Sequence, residues 1–220
     1  MISGDASRRT STLPRHIPPT SFWGPEDKTQ EALAQKAVGF NCLNYDRPPE
    51  GALERHVLPN KTFIDSQCAD GIRSELMFPS CWDGTLFDPQ DKSHLKYPDL
   101  VMDGTCPDGY TTRLPALYYE TVWDTTPFNN VSGAYLLSNG DSTGYSYHGD
   151  FLNGWDIDIL QQAITSCTNN SGLVSDCSVF TLQEESQAAQ CKASSPAQLK
   201  NEDCARPRAE LCGNIFIDTI

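Results

Sequence analysis

Apolar positions between Val38 and Leu137 come in short runs, VGFNCL, RSELMFP, RLPALYYETVW and GAYLL, separated by clusters of Pro, Gly, Asp and Asn. Runs of this length between turn formers read as β-strands joined by loops. In ALYYETVWD the residues alternate: Leu117, Tyr119, Thr121 and Trp123 fall on one face and Tyr118, Glu120 and Val122 on the other, as in a strand of a sandwich. No strand–helix–strand rhythm is visible, which disfavours a parallel doubly wound sheet. The expected fold is mainly β: an antiparallel β-sandwich with one or two peripheral helices and a disulfide-rich C-terminal tail.

Two segments carry helical spacing. In EDKTQEALAQKAV, Pro25 and Glu26 suit a first turn, Leu33 and Ala37 form a thin apolar stripe, and Gly39 ends it, which predicts a surface helix. From Gly154 to Ser166 the apolar residues Leu152, Trp155, Ile159, Leu160, Ala163 and Ile164 recur at three and four. Asn153 fits as N-cap, with Asp156 and Asp158 in the first turn where the helix dipole favours anions. Residues 1–25 read as an irregular N-terminal arm, ordered only if it docks, 26–177 as a β-rich core domain, and 178–220 as a cysteine-rich irregular tail. No internal repeat is present.

The chain has 220 residues, with 16 Lys+Arg against 29 Asp+Glu and a formal net charge of -13. A chain this acidic repels a phosphate backbone, and Arg8–Arg9 is its only adjacent basic pair, so a nucleic-acid partner is not expected. No apolar run approaches the roughly 20 residues needed to cross a bilayer as a helix, so no transmembrane segment is expected.

Nine cysteines, at 42, 68, 81, 106, 167, 177, 191, 204 and 212, are many for a reducing compartment and include no Cys-x-x-Cys couple. This favours disulfides over metal thiolates, with local bridges in the tail such as Cys167 with Cys177. Asn-x-Ser/Thr acceptors at Asn60, Asn130 and Asn169 suggest glycosylation and point to the same export. Yet the chain opens on the polar stretch MISGDASRRTSTLPR, without a secretory signal, and an odd cysteine count leaves at least one thiol without an internal partner. Truncation of a longer parent chain at the N-terminus accounts for both.

The densest polar constellation is LSNGDSTGYSYHGDFLNGWD, residues 137–156. If 145–151 is extended, Tyr145 and Tyr147 share a face with Gly149, while His148 and Asp150 project together from the other. A His and a carboxylate so placed can orient a base, ligate a metal or bracket a sugar hydroxyl. His94 and Asp83, in loops beside Tyr97 and Trp82, are further catalytic candidates, and Tyr145, Tyr147, Trp155 and Trp82 are candidate substrate contacts. Each has a plainer reading. His148 can be a satisfied histidine beside two tyrosines, Asp141 in Asn-Gly-Asp a turn former, Asp156 and Asp158 helix-capping charges, and Trp82, Trp123 and Trp155 core residues. No Gly-x-Ser-x-Gly elbow, His-Glu-x-x-His, phosphate loop or dinucleotide fingerprint is present. Glycosidase chemistry survives only because a fold can bring two distant carboxylates together.

VGFNCL (38–43), ADGIRSELMFPSCWDG (69–84), DKSHLKYP (91–98), TRLPALYYETVWD (112–124) and SNGDSTGYSYHGDFLNGWD (138–156) together resemble the fungal family known as domain of unknown function 1996, over about 38–177. The resemblance implies a secreted or cell-surface protein of filamentous fungi, sometimes joined to carbohydrate-binding WSC modules, and no settled activity. It also implies an upstream half with a His-x-His element, ending near the MISGD that begins this chain. Loss of that half would leave Met1 an internal methionine, a site built on His148 and Asp150 incomplete, and sandwich edges exposed to aggregation.

These readings lead to an extracellular domain that acts on or binds cell-wall or plant polysaccharide around His148 and Asp150. The alternative is a non-enzymatic structural or adhesive wall protein presenting its aromatic residues to glycans. A metal-storage or redox-sensing module is a weaker third. No cofactor is specified, a metal is left open, and convergence of His148, Asp150 and His94 in one cleft would separate chemistry from binding.

Overall fold

The computed structural model describes residues 2–14, 17–86, 92–199, 204 and 210–217. They belong to two compact units, 1–151 with 209–220, and 152–208. Met1 lies outside the described residues, as do 200–203, 205–209 and 218–220 of the tail.

In the first unit the order is β1 (Ile2–Gly4), α1 (Gln30–Lys36), β2 (Val38–Cys42), α2 (Lys61–Gln67), β3 (Ile72–Met77), β4 (Cys81–Trp82), β5 (Leu95–Lys96), β6 (Thr112–Arg113), β7 (Tyr118–Trp123) and β8 (His148–Asp150). Three open sheets result, β1-β8, β2-β3-β7 and β5-β4-β6, and every pairing between these strands is antiparallel. The mainly β, antiparallel organisation expected from the pattern is present, and among the described residues no sheet closes into a barrel.

The sheet β2-β3-β7 organises the core. Its register sets Phe40 opposite Ser74 and Ser74 opposite Thr121, and Ile72 opposite Trp123, so Phe40, Ile72, Ser74, Leu76, Tyr119, Thr121 and Trp123 share a face. The alternation read in ALYYETVWD is therefore real. Buried Val38, Phe40, Leu58, Ile64, Cys68, Ile72, Leu76 and Phe78 pack on this side, each large apolar chain contributing about 1.5–3 kcal/mol. On the opposite side Met77 packs with Leu33, Ala37, Leu53, Tyr97 and Val101. GAYLL, by contrast, forms no strand: Asn130 and Gly133 take positive φ, and Leu137 is held by its N–H to the Asp141 carbonyl at 2.8 Å.

The helix at 25–38 differs from its expectation in two ways. A 3-10 turn occupies Pro25–Lys28, and α1 starts after Thr29, whose side chain accepts from the Ala32 N–H. Nor is α1 a surface helix, because Ala32, Leu33, Gln35 and Lys36 are all buried. Lys36 Nζ pairs with Asp27 Oδ1 at 3.0 Å and lies 4.4 Å from the centre of the Trp23 ring, and Gln35 holds Ser11 and Thr12. The thin stripe is thus widened by polar residues whose partners lie upstream, between Ser11 and Asp27. That arm docks: besides β1, Arg8 Nη2 meets Glu31 Oε1 at 2.7 Å.

In the second unit α3 (Ile157–Ser166) is capped by Asp156, which accepts from the Asp158 and Ile159 N–H groups, rather than by Asn153. The helix therefore starts about one turn later than the spacing predicts. Only Ala163 of its apolar stripe is buried. A short α4 (Glu185–Ala188) follows. Disulfides join Cys42–Cys68, Cys81–Cys106 and Cys167–Cys177; Cys204 and Cys212 are also disulfide-bonded, and Cys191 is a free, exposed thiol. No helix among the described residues is long and apolar enough to cross a membrane.

Candidate functional site

Where the Ile72–Trp123 edge of the central sheet runs past the end of α2, the chain from Asp124 to His148 passes over it and leaves a cavity of about 430 Å³. Buried Leu58, Ile72, Ser74 and Thr125 form its floor, with buried Ser146 in the turn above. Aromatic rings of Trp123, Phe128, Tyr135 and Tyr147 form walls, and Trp123, Phe128 and His148 are exposed at the mouth. A volume in the range of about 300–1,000 Å³ with apolar walls and a few polar groups is the common form of a small-molecule site.

One buried carboxylate shapes the roof. Asp141, fully buried, accepts from the N–H and hydroxyl of Thr143 at 2.8 and 2.6 Å and from those of Ser146 at 2.9 and 2.7 Å. Burial alone would raise its pKa, but the hydrogen bonds from Thr143 and Ser146 overcome that and hold the carboxyl below the ordinary aspartate value. Asn139 ties this turn to the N-terminal arm by donating to Ala6 O and Ser146 Oγ, while its carbonyl accepts from Arg9 Nη2. Asp141 forms a turn, as Asn-Gly-Asp suggests, and Asn139 and Ser146 of that turn line the cavity as its roof.

His148 emerges from this turn. Its Nδ1 lies 2.9 Å from the Ser146 carbonyl oxygen; since a carbonyl only accepts, Nδ1 carries a proton and donates. Next to it Gly149 packs against Leu76 and Tyr119, leaving His148 and Asp150 to project from the other side of β8. Tyr145 does not share the face of Tyr147, because the chain turns at 144–147 with the Tyr147 N–H donating to Gly144 O, so the extended segment begins only at His148. Tyr147 meets Phe40 at a ring separation of 5.9 Å and lines the cavity, while Tyr145 lines a separate small void with Arg8, Gln35 and His56.

The remaining expected site residues fall elsewhere. Asp150 is exposed on β8 and does not line the cavity. Asp83 and His94 are neighbours on the β4–β5 pair, the Asp83 N–H donating to His94 O at 3.2 Å, and this pair does not line the cavity either. The Asp83 carboxylate is occupied by the Thr85 N–H and hydroxyl, which hold its pKa below the ordinary value. Trp82 donates its indole N–H to Thr85 O in that same loop, and Trp155 belongs to the second unit, where its ring lies 5.4 Å from that of Phe180. Among the described residues no group of three or more His, Cys, Asp or Glu is arranged to hold a metal ion. The acceptor asparagines Asn60, Asn130 and Asn169 are all exposed, and Asn60 caps α2 through its Oδ1 on the Phe63 N–H.

Of the lining residues, only Tyr147 and His148 are site candidates in the sequence; Trp123, Tyr135 and Thr125 are among those that are not. Trp123, read there as core, is half exposed at 53% and forms a wall. Tyr135 belongs to the run read as a strand. Thr125 carries no sequence signal, yet its Oγ1 is buried and has no hydrogen-bond partner among the described residues. A buried hydroxyl left in this state costs about 1–3 kcal/mol. His56, also overlooked, is a packing residue: Nδ1 donates to Val38 O, and burial lowers its pKa so that it stays neutral.

Fold and site together define a disulfide-linked, antiparallel, mainly β domain with an aromatic cavity roofed by a carboxylate-centred turn. The chain belongs to the family described as Domain of unknown function (DUF1996), whose model matches residues 1–155. That match includes the docked arm and every residue lining the cavity. Comparison with curated proteins and with solved structures yields no match.

Proposed function

We propose that this chain is an extracellular fungal domain that binds cell-wall or plant polysaccharide material without turning it over, seating one ring of its ligand in the cavity beside His148. The observation that carries this reading is the convergence of Trp123, Phe128, Tyr135, Tyr147 and His148 on one accessible cavity. Rings of this kind offer large, rigid apolar faces with polar tips, which suit a ligand that is flat on its faces and polar at its edge. Extracellular residence is supported by the disulfides, which persist in oxidising surroundings, and by three exposed glycosylation acceptors.

Binding is favoured over catalysis by the way the carboxylates are used. Asp141 commits both oxygens to Thr143 and Ser146, while Asp83 and Asp124 each commit Oδ1 to the N–H and hydroxyl of Thr85 and Thr126. His148 is oriented by a carbonyl rather than by a carboxylate, so the His–carboxylate pairing of a general base is not assembled at the cavity. The test is co-sedimentation of the full chain with insoluble wall polysaccharides, alongside measurement of released oligosaccharide. Retention that is lost in Trp123→Ala, with no product released, supports the reading. Release of product that depends on His148 or Asp150, or retention indifferent to Trp123, contradicts it.

A further inference from the structure

We infer that the sugar seated in the cavity carries a free amine, its ammonium held between the Trp123 ring and the Asp124 carboxylate. This rests on the cavity being the binding site, and it names the class of polysaccharide bound there. The deciding consideration is charge. Among the described residues that line the cavity, Asp124 is the only carboxylate and none is a Lys or Arg. Asp124 is exposed, and its Oδ1 accepts from the N–H and the hydroxyl of Thr126 at 3.0 and 2.5 Å. Those bonds hold its pKa below the ordinary aspartate value and leave Oδ2 without a partner among the described residues. The His148 ring at the mouth turns Nδ1 to the Ser146 carbonyl rather than to this carboxylate.

The rings beside Asp124 favour the same charge. An aromatic face attracts an ammonium within about 6 Å of its centre, Trp most strongly. The chain uses that contact itself, with Lys36 4.4 Å from the Trp23 centre and Lys61 5.2 Å from that of Tyr135. Lys61 is already neutralised by Asp65 at 2.6 Å, so it does not serve Asp124. Trp123, half exposed at the mouth, has no cation over its ring among the described residues. A neutral sugar can donate a hydroxyl to Oδ2 but leaves its charge unmet, and a uronic acid is repelled by it. An amino sugar meets the carboxylate and the ring together, with its pyranose face on the remaining aromatic walls.

The experiment is calorimetric titration of the full chain with three β-1,4-linked hexasaccharides that differ in one substituent of each ring: glucosamine with an ammonium, N-acetylglucosamine with an acetamide, and glucose with a hydroxyl. Hexalysine is the fourth probe. The glucosamine hexamer is expected to bind about tenfold more tightly than the glucose hexamer, the product of an exposed ion pair and an exposed cation–π contact. Asp124→Asn, which keeps an oxygen for Thr126, should cut that preference to about threefold, and so should about 0.5 M sodium chloride. Trp123→Ala should weaken all three hexasaccharides, with circular dichroism showing both variants folded. A preference that survives Asp124→Asn undiminished belongs to the net charge of the chain and overturns the inference. Acetamide or hydroxyl hexamers bound as tightly as the amine, and lost in Trp123→Ala, overturn the amine while leaving the cavity as the binding site. Hexalysine bound more tightly than the glucosamine hexamer, and lost in Asp124→Asn, assigns the site to a basic peptide and overturns the sugar. Failure of every hexasaccharide to bind overturns both readings.

Discussion

Asp141→Ala is the most informative stability variant, because a fully buried side chain with four hydrogen bonds is replaced by a methyl group. Hydrogen bonds to a charged acceptor contribute about 1.5–3 kcal/mol each. The half-buried Thr143 hydroxyl can turn to water, but the Ser146 N–H and O–H are buried and have no solvent to replace the lost oxygen. Counting chiefly those two, and offsetting them with the relief of a desolvated carboxylate, gives a loss of about 3 kcal/mol. For a chain of this size that lowers Tm by about 6–12 °C, readable by circular dichroism or differential scanning fluorimetry. The pH dependence gives a second check. The folded-state pKa of Asp141 is held below its ordinary value of 3.8, so its contribution is complete above that value and is lost as pH falls through the lower folded value. The gap between wild type and Asp141→Ala should therefore be full at pH 6 and narrow below about pH 4. A variant melting within a degree of wild type at pH 6, or a gap that widens on acidification, would refute the assignment of Asp141 as the centre of the roof.

Three further outcomes follow from the packing. Cys42→Ser with Cys68→Ser opens a bridge between residues 26 apart, a loss of about 3.5 kcal/mol by loop-closure entropy, measured by urea unfolding. Lys36→Ala strands the Asp27 carboxylate and empties the space beneath Trp23, with an expected cost of about 3 kcal/mol in the same assay; an unchanged midpoint would mean the pair is not buried. Gly4 takes φ +78°, and a Cβ there would collide with the Tyr147 carbonyl and the His148 Cα. Gly4→Ala should accordingly loosen β1 from β8, raising hydrogen exchange at His148 and Asp150 while leaving β3 and β7 protected.

The central sheet was legible because it is locally written. Tyr119, Thr121 and Trp123 alternate with Tyr118, Glu120 and Val122, the period of two that marks a half-buried strand. Cys167–Cys177 was legible for a similar reason, since its partners are only 10 apart. What failed to show in the sequence depends on partners far along the chain. The depth of α1 rests on Asp27, Ser11 and Thr12 satisfying Lys36 and Gln35, so a thin apolar stripe gave no hint of burial. GAYLL has the composition of a strand, but Asn130 and Gly133 in left-handed conformations and the turn at Asp141 turn it into a cavity wall. His148 was visible as a polar residue in an aromatic stretch. Its surroundings were not, because Trp123, Thr125 and Tyr135 reach it only through the fold.

The binding site itself is tested most directly by the four indole N–H signals of the ¹⁵N-labelled chain, those of Trp23, Trp82, Trp123 and Trp155, during titration with soluble oligosaccharides cut from the wall polysaccharide it retains. Only Trp123 lines the cavity, so its signal alone should move, saturably, while the other three hold their positions. Saturable movement of Trp82 or Trp155 with Trp123 unmoved would put the ligand elsewhere on the chain and contradict the cavity as its seat.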